Sequence, residues 1–195
     1  MTVASSDALD LSVLTESLSS AARGAIPDPA LTARVAEQAA AVHAFSRRAV
    51  YELLTTALCG RNPHVVLQWL RDSLLLRELI PELDATVAFS QEGGRRHKDV
   101  WQHTKIVVLQ SVPRPIVRWA AVLHDIGKVT TRRYVGRGRV TFHGHSEEGV
   151  RMFREGPAKT IAFPAEVRER VELLILHHHD TKGSRSLDQR RRHYH

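Results

Sequence analysis

The sequence predicts an all-α protein: a helical bundle with one small β-hairpin and an N-terminal helical annex. Three observations carry that reading. Apolar residues recur at three- and four-residue spacing over most of the 195 positions. Proline, glycine and aspartate stand where helices start and stop. Only the segment Arg132–Phe142, around Gly136-Arg137-Gly138, alternates in the two-residue rhythm of paired strands.

The elements follow in order. Ser6-Asp7 offers a cap for a helix through Leu11, Leu14 and Leu18, with Gly24 as its stop. Asp28-Pro29 opens an alanine-rich helical stretch that runs to about Cys59, with a break near Ser46. The turn Gly60-Arg61-Asn62-Pro63 leads into a helix over His64–Leu76, and Leu79, Ile80 and Leu83 extend the apolar face. Gln91-Glu92-Gly93-Gly94 reads as a loop. Asp99 reads as the cap of a helix through Trp101, Ile106 and Leu109, ended by Pro113 and Pro115. A helix from Ile116 to about Asp125 stops at Gly127. Two more follow the hairpin, near Ser146–Glu155 and Ala165–His178, and the tail from Thr181 is polar and arginine-rich. The expected division is a helical annex over residues 1–90, a metal-binding domain over 91–180 and a basic tail over 181–195.

Composition narrows the function classes. Apolar residues are 43% and charged residues 25%, enough to bury a core and incompatible with a disordered chain. The net charge of +7 favours phosphate-rich partners. The single cysteine, Cys59, excludes a disulfide framework and a thiolate metal cage. No run approaches the roughly 18 apolar residues of a membrane span. Met1–Asp10 lacks a basic segment followed by an apolar one, so a cytoplasmic location and no membrane partner are expected.

Twelve histidines are unusual, and eight of them fall between His97 and His179. His103 lies mid-helix, His124-Asp125 ends an apolar helix, His143 and His145 flank Gly144, and His177-His178-His179 ends another apolar helix. A single histidine at a helix end is ordinarily a partner of the helix dipole, and His43 and His64 are read so. Several imidazoles delivered by inward-facing elements beside a carboxylate are costly to bury without purpose, and they suit a divalent metal. His124 and Asp125 point about 100° apart on a regular helix, so both reach one ion only where the helix frays or the ion sits between them. Gly127 supports such an ending.

His124-Asp125-Ile126-Gly127-Lys128 resembles the core of the HD-domain metal-dependent phosphohydrolases. His103-Thr104 before it, and His145 and His178 after it, fall in the order of that family's ligands. Leu79–Asp84, His97–Thr104 and Arg139–His145 are similar to the HD region of CCA-adding tRNA nucleotidyltransferases and bacterial poly(A) polymerases. The resemblance spans roughly Arg47 to His179 and implies an HD-type helical bundle around a metal. No Gly-Ser followed by paired aspartates is present, so nucleotide addition is not expected of this chain. The resemblance implies His103, His124, Asp125, His145 and His178 as ligands. A final carboxylate is expected at Asp188, with Asp180 as the alternative. The family's spacing from Val171 selects His178 among the three terminal histidines.

The implied chemistry is hydrolysis of a phosphomonoester or phosphodiester on a nucleotide or RNA end by a metal-activated water. One or two divalent ions (Mn, Fe, Co, Ni, Zn or Mg) would serve. Asp125 is expected to bridge the ions. Lys128 is expected to neutralise phosphate oxygens, and His97 to donate to a phosphate or leaving oxygen. Arg132, Arg133, Arg137 and Arg139 of the hairpin suggest a phosphate clamp, with Lys128 part of it. Arg190–Arg192 would add non-specific affinity for nucleic acid. The alternative is a non-catalytic RNA- or nucleotide-binding helical module derived from a tRNA-processing enzyme. That module predicts a broken ligand set, whereas His103, His124, Asp125, His145 and His178 are all present. A purely structural helical protein would leave the histidines unexplained.

Overall fold

The structure is a computed structural model and describes residues 8–93 and 99–178. It is helical, with one antiparallel strand pair. The N-terminal helices are α1 (Leu11–Ala22), α2 (Pro29–Glu37), α3 (Arg47–Leu58), α4 (Pro63–Asp72), α5 (Leu75–Leu79) and α6 (Pro81–Gly93), with a 3₁₀ turn at Ala39–Ala44. Then come α7 (Val100–Gln110), α8 (Pro115–Leu123) and the short α9 (Lys128–Thr131). The hairpin pairs β1 (Arg133–Val135) with β2 (Arg139–Thr141), and α10 (His145–Glu155), α11 (Pro157–Thr160) and α12 (Ala165–His177) follow.

Most boundaries are set by the residues that signalled them. Asp28 and Ser46 accept hydrogen bonds from Ala30 N–H and Ala49 N–H, and Asp99 accepts from Gln102 N–H, which satisfies first-turn donors. Asp10 caps α1; Ser6 and Asp7 lie outside the described residues. Gly24 ends that helix at φ +87°, a left-handed conformation that disfavours a side chain. Further boundaries differ from expectation. The helix expected over His64–Leu76 is interrupted at Leu74, which takes φ 63° and turns the chain from α4 into α5. The stretch from Gln91 to Gly93 continues α6 rather than forming a loop, because neither glycine spacing nor polarity outweighs an already propagating helix.

One continuous core runs from Leu9 to Ile175. Its centre is aromatic. Trp119 of α8 is fully buried and donates from Nε1 to Thr55 Oγ1 of α3 at 2.8 Å. Phe163, just before α12, packs edge-on to Trp119 at 4.8 Å and to Phe153 of α10 at 5.2 Å. Arg118, 4% exposed, is satisfied by backbone carbonyls: Nη1 donates to Leu58 O and Gly60 O, and Nε to Val112 O. It ties α8 to the end of α3. With α12 packed on both α8 and α10, the C-terminal ends of α8 and α12 meet the start of α10.

Candidate metal centre

α8 ends at Leu123, and His124 to Gly127 form a turn into α9. The two neighbouring side chains meet there: His124 Nε2 and Asp125 Oδ2 lie 3.1 Å apart. Gly127 makes the turn possible by close approach. A Cβ there would stand 2.0 Å from the His145 carbonyl oxygen and 2.7 Å from Gly149 N. The bare backbone of the turn therefore seats directly on the first turns of α10, which puts Asp125 beside His145. α12 supplies His178 at its C-terminal boundary.

Asp125, 2% exposed, sits at the centre. Its Oδ2 faces His124 Nε2 and Lys128 Nζ, each at 3.1 Å, and His103 Nε2 of α7 at 3.9 Å. Its Oδ1 is buried, accepts no hydrogen bond, and lies 3.6 Å from His145 Nε2 and 3.5 Å from His178 Nε2. The other nitrogen of three rings faces a backbone carbonyl. His124 Nδ1 is 2.6 Å from Ala121 O, His145 Nδ1 2.9 Å from Phe142 O, and His178 Nδ1 2.5 Å from Ile175 O. A carbonyl only accepts, so each Nδ1 donates and each ring turns its Nε2 inward. The Nε2 atoms of His145 and His178 are only 3.2 Å apart. Inward Nε2 atoms around a buried carboxylate oxygen that accepts no hydrogen bond form a donor set for a shared cation, and such carbonyl-fixed imidazoles are the usual metal-ligand arrangement. Two overlapping donor sets result, His103/His124/Asp125 and Asp125/His145/His178. The residues therefore fit a divalent ion.

The electrostatics agree. Burial by itself pushes the Asp125 carboxyl up, but His124, His178 and Lys128 together hold it well below the usual carboxylate range. Burial pushes the His145 imidazole down, against the pull of the Phe142 carbonyl and Asp125, and so favours the neutral ring that a metal requires.

Placement of the other expected residues is uneven. Lys128 is joined to Asp125, its side chain only 19% exposed, rather than being a surface lysine. His177 is exposed, whereas His178 turns inward. His43 pairs with Glu78 at 3.0 Å. His64 lies in the first turn of α4, at the N-terminal rather than the C-terminal end of a helix, and its Nδ1 is buried without a hydrogen bond. Across the hairpin, Arg133 pairs with Thr141 and Tyr134 with Val140, so strand alternation puts Arg132, Tyr134 and Val140 on one face and Arg133 and Arg139 on the other. His97, His179, Asp180, Asp188 and Arg190–Arg192 lie outside the described residues. A groove of about 950 Å³ between α1 and α3 is lined by none of the cluster's side chains, so volume is no guide to the chemistry here. Sequence reasoning missed the approach of Gly127 to Gly149 and the aromatic residues Phe89 and Tyr134; the pairing of small residues across α9 and α10 carries no local signal.

A family model described as the HD domain matches residues 91–193, more than half of the chain. The chain belongs to the HD domain family. This HD domain protein is 36% identical over 141 residues to the CC-adding tRNA nucleotidyltransferase of Thermus thermophilus, covering 69% of the chain and 32% of that protein. It is 30% identical over 135 residues to the multifunctional CCA protein of Teredinibacter turnerae, covering 66% of the chain and 31% of the relative. For the multifunctional CCA protein of Pseudomonas fluorescens strain SBW25 the identity is 32% over 140 residues, 69% of the chain and 32% of the relative. The chain thus spans about a third of the length of the curated relatives it matches. No helix among the described residues is long and apolar enough to cross a membrane.

Proposed function

We propose that this protein is a divalent-metal-dependent phosphohydrolase that cleaves a phosphomonoester or phosphodiester on a nucleotide or an RNA end. The observation that carries the reading is the convergence of His124, His145 and His178, each with Nδ1 tied to a carbonyl, on the two oxygens of one buried carboxylate. His103, His124 and Asp125 would hold one ion, and Asp125, His145 and His178 another, with Asp125 common to both; mixed imidazole and carboxylate donors suit Mn, Fe, Co, Ni, Zn or Mg. When bound, such an ion acidifies water and neutralises phosphate charge.

The chain's own groups supply the rest. Asp125, held ionised, keeps negative charge at the centre, and the carbonyl contacts keep the three rings in the ligating tautomer. Lys128 sets an ammonium 3.1 Å from Asp125 at the partly open edge of the cluster, where phosphate oxygens would be received. Arg132 extends that positive edge, while Arg133 and Arg139 on the hairpin's opposite face add longer-range attraction. His97 as a proton donor and Asp188 as a further carboxylate belong to the same proposal. Residues 91–180 carry the site on this reading, residues 1–90 buttress it, and 181–195 add basic charge. The names of the tRNA-acting relatives, together with the net charge of +7, favour an RNA or nucleotide substrate.

The test is elemental analysis by plasma mass spectrometry beside metal-dependent hydrolysis of bis(p-nitrophenyl) phosphate, for the wild type and Asp125→Ala. About one or two equivalents of metal and matching hydrolysis, both lost in the variant, are expected. No metal in either protein after incubation with Mn, Co, Ni and Zn sinks the proposal. Bound metal without hydrolysis of any phosphoester favours the binding module instead.

A further inference from the structure

A ladder of alternating cations and aromatic rings leads outward from the metal centre along one face of the hairpin. Lys128 Nζ, 3.1 Å from Asp125, lies 5.4 Å from the centroid of the Phe142 ring. Phe142 meets Phe89 of α6 edge-on at 6.2 Å. The Arg132 guanidinium lies over Phe89 at 4.4 Å and 5.2 Å from the Tyr134 ring. Each cation stands within the range of a cation–π contact. The inner end is joined to the metal centre through the backbone as well, since the Phe142 carbonyl accepts from His145 Nδ1. At the outer end Tyr134 is 54% exposed.

Packing accounts for the inner rungs but not for the outer one. Phe89 is 4% exposed and belongs to the protein interior. Tyr134 stands on a strand of three residues whose neighbours are all exposed, a place where a large ring gains little from burial. Its ring is nonetheless held against a guanidinium. A positively charged strip with an aromatic face at its solvent end is the chemistry of single-stranded nucleic-acid binding: the ring stacks a base and the cations follow the phosphates. Aromatic stacking on unpaired bases is also how proteins commonly engage RNA ends.

We infer that this face of the hairpin is a track for a single-stranded RNA end. Tyr134 stacks a base away from the scissile phosphate, Arg132 lies between that base and the site, and Lys128 receives the terminal phosphate beside Asp125. The inference rests on the phosphohydrolase reading for what happens at Asp125. It adds the substrate class: an oligonucleotide end, in preference to a free mononucleotide.

Fluorescence anisotropy of a short fluorescein-labelled oligouridine, titrated with the full chain in EDTA, separates binding from turnover. The expected result is saturable binding that Tyr134→Ala weakens roughly 10-fold, that Tyr134→Phe retains, and against which uridine monophosphate competes poorly. Wild-type affinity in Tyr134→Ala overturns the track. So does a Tyr134→Phe protein as weak as the alanine variant, equal competition by the mononucleotide, or no binding at all. Because Tyr134 is exposed, an unchanged circular dichroism spectrum and Tm are expected, and Tyr134→Phe guards against a folding effect. Failure to hydrolyse bis(p-nitrophenyl) phosphate strikes the phosphohydrolase reading alone, since the binding measurement involves no turnover.

Discussion

At Asp125 the side chains are held by the backbone, whereas at Tyr134 they are held by one another. Three cluster imidazoles are pinned through Nδ1 to carbonyls three residues earlier in the chain, and the turn that carries Asp125 rests on α10 with no side chain between. On the hairpin, Arg132 bridges two rings by face contacts and the strands are three residues each. The difference fits the roles proposed for the two regions. Donor atoms around an ion tolerate little positional error, and only rigid, hydrogen-bonded supports supply that. A surface that accepts a base has only to present a ring, and side-chain stacking is enough.

Gly127→Ala attacks the rigid region most directly. The added methyl meets two backbone atoms, neither of which can swing aside, so a loss of about 3 kcal/mol is expected. At this chain length that is roughly 6–12 °C in Tm, measured by calorimetry. A Tm within a degree of wild type would show that the turn is pliable and break the contrast. Next in size is metal itself. Saturation at about 100 times Kd stabilises by about 2.7 kcal/mol, or roughly 5–11 °C. EDTA is expected to reverse the shift and Asp125→Ala to abolish it.

Two carboxylates, one buried and one half-buried, sharpen the comparison further. Asp125 has cations and imidazoles around it. Glu82 of α6 has its Oε2 buried without a hydrogen bond and lies against Gly156, and burial pushes its carboxyl up. Its folded-state pKa is raised, so its contribution is favourable below the unfolded value and is lost as pH rises through the folded one. Glu82→Gln is therefore expected to raise Tm by roughly 1–2 °C at pH 7 and by less at pH 4. An equal shift at both pH values would deny the charge any role. The smallest effect belongs to the outer face of the hairpin. Arg133→Gln and Arg139→Gln are expected to change stability by less than about 0.5 kcal/mol, while flattening the salt dependence of RNA binding by about one counterion each.

Much of the fold was legible because helix signals are local. Asp28 and Asp99 stand as caps where they were expected, the break expected near Ser46 falls at that residue, and the hairpin lies within Arg132–Phe142. The end of α8 was legible to within two residues: the helix expected to run to about Asp125 ends at Leu123. Leu74 and the extension of α6 through Gly93 were not legible. A left-handed leucine is imposed by the packing of α4 against α5, and the length of α6 by helix propagation, neither of which is written in residue type. In the cluster, the residue types and their order were readable, but the tautomers of the rings were not, because each depends on which carbonyl happens to lie beside Nδ1.

The amino-acid sequence by itself determined the all-α class, several helix caps, membership of the HD family and the supply of imidazoles and carboxylates rather than thiolates. These are properties of residue type and short-range spacing. Only the tertiary structure decided that one carboxylate lies in two donor sets, that Lys128 joins them, and that Arg132 is held between Phe89 of α6 and Tyr134 of β1. Those outcomes depend on contacts between distant parts of the chain, such as the turn at Gly127 against α10 and α6 beneath the hairpin. No local pattern encodes such contacts, because each side of them is ordinary until the other arrives.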